Sequence, residues 1–414
     1  MEIFRIMGGK PIRGTIRIGG AKNAILPLLA ASLLTEEPVC LTGCAALSDV
    51  ENMIRILGML GAGAKMEDDV ITVNPAQASR WEMPEHLSKL IRSSIFMLGP
   101  ILGRFRKATV TYPGGCEIGL RPIDLHLKGL RALGVRIREA HGMIYCDGSH
   151  MHSGEIMLDF PSVGATENVM MAAVLIPGKT VILNAAREPE ITDLQEFINS
   201  MGGCVSGAGT GMIVIDGVKK LRGTHYRVMP DRIVAGTLLT AAAMTGGDIA
   251  VRGARACDLD AVLDKLSAAG CEIIADDEGI SLKGPEKLRP VDVSTQPYPG
   301  FPTDMQAQML SMCCVAHGTS VIIENVFESR FAHAAQLIRM GADITVSHRA
   351  AIVRGGRLTG ARVCAKDLRG GAALVLAGLA AEGATEIQGV SLIDRGYESL
   401  EKMLGGLGAD ITRI

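Results

Sequence analysis

One local pattern recurs six times along this 414-residue chain, and that repetition limits its possible folds more than any other feature. A helix that ends in a small, glycine-containing turn runs directly into an alternating strand at 57–64, 130–137, 198–205, 266–273, 337–344 and 404–411. With Gly61, Gly134, Gly202, Gly270, Gly341 and Gly408 as markers, the spacings are 73, 68, 68, 71 and 67 residues. A period this regular means one supersecondary unit used over and over. The glycine reads as a helix C-cap in the left-handed conformation.

A second helix, apolar almost all round, precedes each marker, at 23–34, 93–102, 167–175, 233–244, 305–316 and 368–380. A helix with no polar face has to be buried, here with sheets and outer helices around it. Short β-branched strands flank most of these helices, as in Gly178-Lys-Thr-Val-Ile-Leu and Gly318-Thr-Ser-Val-Ile-Ile. The unit is therefore strand, apolar helix, strand, amphipathic helix, hairpin. The expected class is α/β, with two domains of three β-α-β-α-β-β units each. Equal division puts the cuts near 20–22 and 229–231. One domain then covers 22–229. The other covers 1–21 plus 230–414, the strand at 14–18 completing it.

Aromatic residues make up only 3% while glycine reaches 50 residues, so the core is aliphatic and the turns are many. Few aromatics argue against stacking platforms for single-stranded nucleic acid. A net charge of −2 offers no basic surface for nucleic acid or an anionic membrane, so neither partner is expected. The longest apolar runs, such as 24–34, fall well short of the roughly 20 residues of a membrane helix. Ten cysteines, with no apolar leader pattern before them, read as reduced thiols and point to the cytoplasm. No C-x-x-C pair occurs, and neither Cys40/Cys44 nor Cys313/Cys314 has zinc spacing, so no metal is expected. His150-Met-His152 reads as a solvated turn.

Polar residues gather where the apolar helices begin. They are Lys22-Asn23, Arg92, Ser162 to Thr166, Asp231-Arg232, Thr303-Asp304 and Asp367 to Arg369. The repeat places three of these N-termini at one end of each domain. Helix N-termini carry unpaired N–H groups and partial positive charge, which favour phosphates and carboxylates. With Arg121, Arg330 and Arg395 added, the set suits a multiply anionic ligand. Capping accounts for Asp231 but not for the whole set. The glycine-rich run 202–211 follows a helix and enters a strand, the reverse of a dinucleotide fingerprint, and there is no P-loop; no cofactor is expected.

In the loop 111–121, Pro113, Gly114, Gly115 and Gly119 exclude a helix. It carries one thiol, Cys116, beside Glu117 and five residues before Arg121. A thiol on such a loop is a candidate for covalent or acid/base chemistry. The alternative is a small buried hydrophobe.

Several runs together resemble the enolpyruvyl transferases that act on UDP-N-acetylglucosamine in peptidoglycan synthesis. They are Lys22-Asn-Ala-Ile-Leu-Pro, Pro113-Gly-Gly-Cys-Glu-Ile-Gly-Leu-Arg-Pro-Ile-Asp-Leu-His126, Ser162-Val-Gly-Ala-Thr-Glu-Asn168, Asn184-Ala-Ala-Arg-Glu-Pro-Glu190, Pro299-Gly-Phe-Pro-Thr-Asp-Met-Gln306 and Asp394-Arg-Gly-Tyr397. The likeness runs from Gly8 to the C-terminus. It implies a pair of inside-out, barrel-like α/β domains with the active site in the cleft between them. It also implies a reaction, transfer of the enolpyruvyl group of phosphoenolpyruvate to the sugar 3-hydroxyl by addition and elimination, with release of phosphate. By this resemblance Cys116 is the acid that protonates the enol methylene, and it is able to attack the enolpyruvyl carbon. Asp304 takes the hydroxyl proton. Lys22, Arg121 and Arg395 grip the phosphate, and Arg330 and Arg369 hold the carboxylate. Asn23, Arg92, Arg121, Pro122, Ile123, Asp124, Leu125, Pro161, Ser162, Val163, Gly164, Asp304 and Val326 match positions that contact the sugar nucleotide or its intermediate. Phe160 departs from members that carry a lysine there. The sister transferase of aromatic biosynthesis shares fold and donor but lacks the cysteine loop, so Cys116 separates the two. The intact Lys22, Cys116, Asp304 and Arg395 set speaks against a catalytically silent copy.

Overall fold

A computed structural model of the chain describes residues 2–114 and 122–414, and in it all six marker glycines sit at positive φ, between 84° and 106°. Gly134 shows why a larger residue is excluded there: a Cβ would lie 2.5 Å from the His150 carbonyl oxygen. Each marker ends an outer helix, and the first five open a hairpin. Helix Ser48–Met59, for example, leads into strand Gly63–Glu67, which pairs antiparallel with Val70–Asn74.

Among the described residues the strands form six sheets. In the common arrangement a parallel pair is extended by the two strands of a hairpin. Glu155–Met157 and Lys179–Leu183 are such a pair, extended by Met212–Asp216 and Val205–Ser206. In two sheets the parallel partner comes from far along the chain. His225–Arg227 runs beside Val39–Thr42, and Arg13–Arg17 beside Asp248–Arg252. The described residues divide into two compact units, 20–114 with 122–229, and 2–19 with 230–414. In the sixth repeat the chain ends after the first hairpin strand, Asp410–Arg413. The missing strand is Ile3–Met7, which inserts between Ala384–Gln388 and Asp410–Arg413, antiparallel to both. The repeat pattern gives no sign of this closure, because the strand lies about four hundred residues from its partners.

Each unit has its own apolar core built on three helices. In the first these are Lys22–Ala31, Leu98–Phe105 and Val163–Ala173. In the second they are Arg232–Thr245, Gln306–Cys313 and Leu368–Ala380. Every residue from Arg232 to Met244 is buried, as expected of a helix with no polar face. Truncating a leucine such as Leu374, which is fully buried, would cost about 2–5 kcal/mol.

The helix expected at 93–102 forms differently. A 3-10 turn over Arg92–Met97 precedes the α-helix Leu98–Phe105. Pro100 is the reason: it lacks the N–H that would bond back to residue 96, and its ring crowds that carbonyl. Asn168 covers the junction from the neighbouring helix. Its Oδ1 accepts from Gly99 N at 2.7 Å, and its Nδ2 donates to the Ile95 carbonyl at 2.9 Å and to His126 Nδ1 at 2.7 Å.

Contacts between these helices advance in step. A Cβ on Gly99 would meet Asn168, and one on Gly103 would meet Met171. In the other unit Arg369 reaches Asp304, and further along both helices Ser311 donates to the Ala373 carbonyl. The paired helices therefore run parallel, with their N-termini at the same end of each unit.

Candidate active site

In the unit built from 2–19 and 230–414, three helix starts converge. Two carry ordinary caps. Asp231 Oδ1 accepts from Ile233 N and Val234 N, both at 2.9 Å, and Asp367 Oδ1 accepts from Arg369 N and Gly370 N at 3.0 and 2.8 Å. Capping thus accounts for Asp367 as well as Asp231, which corrects the sequence expectation. Asp304 does something else. Its carboxylate turns to two arginines: Arg330 Nη2 donates to Oδ1 at 2.6 Å, while Arg369 donates to Oδ2 through Nε at 3.2 Å and Nη2 at 2.9 Å. Both arginines are almost fully buried, so each needs a charged partner. Burial alone would raise the Asp304 carboxyl, but Arg369 and Arg330 outweigh it and hold it well below the usual carboxylate range. Burial works against the charge on Arg369 too, and Asp304, Tyr397 and Asp231 reverse that effect, leaving it above the ordinary arginine range.

A second carboxylate organises this pair from behind. Glu324 is fully buried. Its Oε1 accepts from Thr295 Oγ1 at 2.9 Å and from Val326 N and Phe327 N at 2.8 and 3.0 Å. Its Oε2 accepts from Thr303 Oγ1 at 2.9 Å, and that hydroxyl in turn accepts from Arg330 Nη1 at 2.7 Å. Glu324 therefore fixes the loop bearing Val326 through two backbone N–H groups and the position of Arg330 through Thr303. Arg330 Nε is buried there without a hydrogen-bond partner. His333 lies against the same cluster. Burial pushes its imidazole down to about 4, with Asp367 pulling it back up and Arg330 lowering it further, so the ring is neutral.

The Gln306–Cys313 helix and the turn after Val390–Ile393 are tied together beneath Asp304. Gln308 Nε2 donates to the Asp304 carbonyl at 2.9 Å, to Thr237 Oγ1 at 3.0 Å and to Tyr397 Oη at 3.2 Å. The Arg369 guanidinium lies over the Tyr397 ring, 5.4 Å from its centroid. Arg395, two residues before that ring, is half-buried.

In the unit built from 20–114 and 122–229, Lys22 opens its helix almost fully buried. Its Nζ pairs with Asp49 Oδ2 at 2.8 Å, on the first turn of the next helix. Asn23 and Arg92 are half-buried at the starts of their elements. Ser162 caps the Val163–Ala173 helix, its Oγ accepting from Ala165 N at 3.4 Å, which is why that helix begins before residue 167. Pro161, Val163 and Gly164 are half-buried around this cap. Gly164 is held close: a Cβ there would lie 2.9 Å from the His126 ring and 3.2 Å from Phe96. Asp124 opens the Asp124–Ala132 helix, with Pro122 exposed, Ile123 buried and Leu125 half-buried beside it. Behind the cap lies Glu167, fully buried, with neither carboxylate oxygen hydrogen-bonded. Burial first, then Glu190 and Glu188, push its carboxyl well above the usual range.

Cys116 and Arg121 lie outside the described residues. Of the other expected positions, Asp304, Arg330 and Arg369 are in direct contact, and Val326 is joined to them through Glu324. Sequence reasoning missed Asp49, Thr237, Glu324, Gln308, His333 and Tyr397 as site-building groups. Thr237 and Gln308 carried a usable signal, since polar side chains inside an otherwise apolar buried helix need partners. Among the described residues no cluster of His, Cys, Asp and Glu could hold a metal ion. No helix there is long and apolar enough to cross a membrane.

Comparison with known proteins adds three findings. The family described as EPSP synthase (3-phosphoshikimate 1-carboxyvinyltransferase) matches over residues 6–404. A relative from Caldanaerobacter subterraneus subsp. tengcongensis, UDP-N-acetylglucosamine 1-carboxyvinyltransferase 2, is 51% identical with all of both chains covered. Relatives named UDP-N-acetylglucosamine 1-carboxyvinyltransferase from Nitratidesulfovibrio vulgaris and Halothermothrix orenii are 49% and 46% identical, covering all of this chain and 99% and 100% of theirs. Among solved structures, the enolpyruvyl transferase NikO from Streptomyces tendae superimposes with a TM-score of 0.90 at 24% identity, covering 100% of this chain and 98% of its own. EPSP synthase from Acinetobacter baumannii does so with a TM-score of 0.77 at 19% identity, both chains being fully covered. These two likenesses establish the fold.

Proposed function

The chain belongs to the EPSP synthase (3-phosphoshikimate 1-carboxyvinyltransferase) family, and from that premise we propose that it is a transferase for the UDP-N-acetylglucosamine acceptor. It moves the enolpyruvyl group of phosphoenolpyruvate to the 3-hydroxyl of UDP-N-acetylglucosamine and releases phosphate, the first committed step of peptidoglycan synthesis, in the cytoplasm. The observation that carries this reading is the Asp304 cluster: a carboxylate held between two buried arginines, the same pair of cations that a substrate carboxylate needs. The choice of acceptor rests on the names of the relatives and on Cys116.

The Cys116 thiol gives its proton to the methylene carbon of phosphoenolpyruvate. The sugar 3-oxygen bonds to the neighbouring carbon, and Asp304 takes the hydroxyl proton. The Cys116 thiolate then takes back a proton from the new methyl group as the adduct's bond to the phosphate oxygen breaks, which frees phosphate and forms the enol ether. Lys22, Arg121 and Arg395 hold the phosphate, and Arg330 and Arg369 the carboxylate. Asn23, Arg92, 121–125, 161–164 and Val326 hold the sugar nucleotide. A carboxylate clamped by two cations is a poor base. When the donor's carboxylate takes over Arg330 and Arg369, Asp304 loses that stabilisation and gains the basicity the step requires.

The test is phosphate release from phosphoenolpyruvate with each acceptor in turn. Release with UDP-N-acetylglucosamine and none with shikimate 3-phosphate is expected. The reverse result assigns the chain to aromatic biosynthesis, and no release with either indicates a silent copy.

A further inference from the structure

The turn that carries Arg395 is pinned at both ends by residues with no assigned part in the reaction. At its start, Asp394 is held by a two-pronged pair from Arg413, Nη1 to Oδ2 at 3.0 Å and Nη2 to Oδ1 at 2.6 Å. Arg413 is the next-to-last residue of the chain. Its guanidinium also reaches Glu401 at 3.2 Å and Glu2 at 2.9 Å, and lies 5.1 Å from the centre of the Phe4 ring. At the other end, Tyr397 is fully buried, its hydroxyl 2.9 Å from Thr237 Oγ1 and accepting from Gln308 Nε2. Between them Gly396 packs on Leu368, so closely that a Cβ would come within 2.8 Å of that side chain. The turn is thus fixed against the start of the helix that supplies Arg369, and Gln308 ties the same hydroxyl to the Asp304 backbone.

A planar, bidentate pair and a buried hydroxyl bond both constrain direction, not merely distance. A flexible arginine two residues from a hydroxyl anchor needs such constraint to meet a small phosphate reproducibly, since misplacement of about 1 Å costs up to a hundredfold. We propose that Arg413 and Tyr397 are positioning residues that aim Arg395 at the donor phosphate, so that the last strand of the chain helps set affinity for phosphoenolpyruvate. This rests on the reading of Arg395 as a phosphate partner.

Tyr397→Phe removes one hydroxyl and keeps the ring; Arg413→Lys keeps the charge and loses the fork. Each is made in the wild type and in Arg395→Ala, and KM is measured for both substrates. Each single change is expected to raise KM for phosphoenolpyruvate about five- to tenfold and to leave that for UDP-N-acetylglucosamine within about twofold. In the Arg395→Ala background neither change should have a further effect, because the group they aim is gone. Equal rises for both substrates, or the same rise with Arg395 absent, would mean that these residues only hold the fold and would overturn the proposal. If Arg395→Ala raises KM for phosphoenolpyruvate but both single variants match wild type, the proposal alone is overturned. If Arg395→Ala leaves that KM unchanged, the phosphate role and the proposal fall together. Arg413→Lys carries the test if Tyr397→Phe does not fold.

Discussion

Arg369 donates to Asp304 Oδ2 through Nε and Nη2, at 3.2 and 2.9 Å, so one side of the guanidinium fork closes on a single oxygen. With Arg330 on Oδ1, the carboxylate is ionised and poorly basic until something displaces the cations.

Asp304→Asn keeps the shape but cannot accept the proton. Turnover should fall about 100- to 10,000-fold while UDP-N-acetylglucosamine still binds, read by calorimetry beside steady-state kinetics. The folded protein should also lose about 1–3 kcal/mol, because two buried arginines lose their counter-charge. Equal losses of binding and turnover would make Asp304 a positioning group.

Cys116→Ser should cripple turnover near neutral pH by about a hundredfold or more, since a hydroxyl is a far weaker acid than a thiol. Cys116→Asp should remain active, because a carboxylic acid can still protonate carbon. An epoxide phosphonate such as fosfomycin should add to the wild-type thiol, seen as a mass increase on the intact protein. A Ser variant as fast as wild type would reduce Cys116 to packing.

His333 makes stability fall as pH drops. Its folded value of about 4 lies below the ordinary histidine value of about 6.5. Between those limits the unfolded chain binds a proton that the native ring refuses. The melting temperature of His333→Gln should therefore decline less steeply than that of wild type from pH 6.5 to 4. Parallel curves would show that other groups dominate.

Glu167 has the opposite sign. Its folded carboxyl titrates well above the usual range. The native protein therefore keeps a proton that the unfolded chain releases above roughly pH 4.5, and stability is lost as pH rises toward the folded value. Glu167→Gln removes the ionisation, so its stability should change less with pH over that window in urea titrations. A steeper dependence would contradict the assignment.

Asn168→Ala leaves Gly99 N and the Ile95 carbonyl buried without their partner. A loss of about 2–4 kcal/mol is expected in denaturant unfolding. A loss below about 1 kcal/mol would mean that the Pro100 junction finds other partners.

Much of this was legible in sequence because it is local and periodic. Glycine is the residue for which positive φ costs least, so six glycines at a regular interval announced six helix ends and fixed the repeat. Helices without a polar face announced their own burial. Other decisions belonged to the tertiary structure. Ile3–Met7 closes the sixth sheet because that hairpin lacks a strand, a vacancy set by partners about four hundred residues away. Pro100 broke the second helix, and only a neighbour's Asn168 could satisfy the break. Asp231, Asp304 and Asp367 look alike as acidic residues at helix starts. Two became caps and one became an arginine-clamped carboxylate, because only Asp304 has Arg330 and Arg369 brought against it by packing. Spacing along a chain records periodicity and backbone preference, whereas the state of a carboxylate depends on which charges folding places beside it.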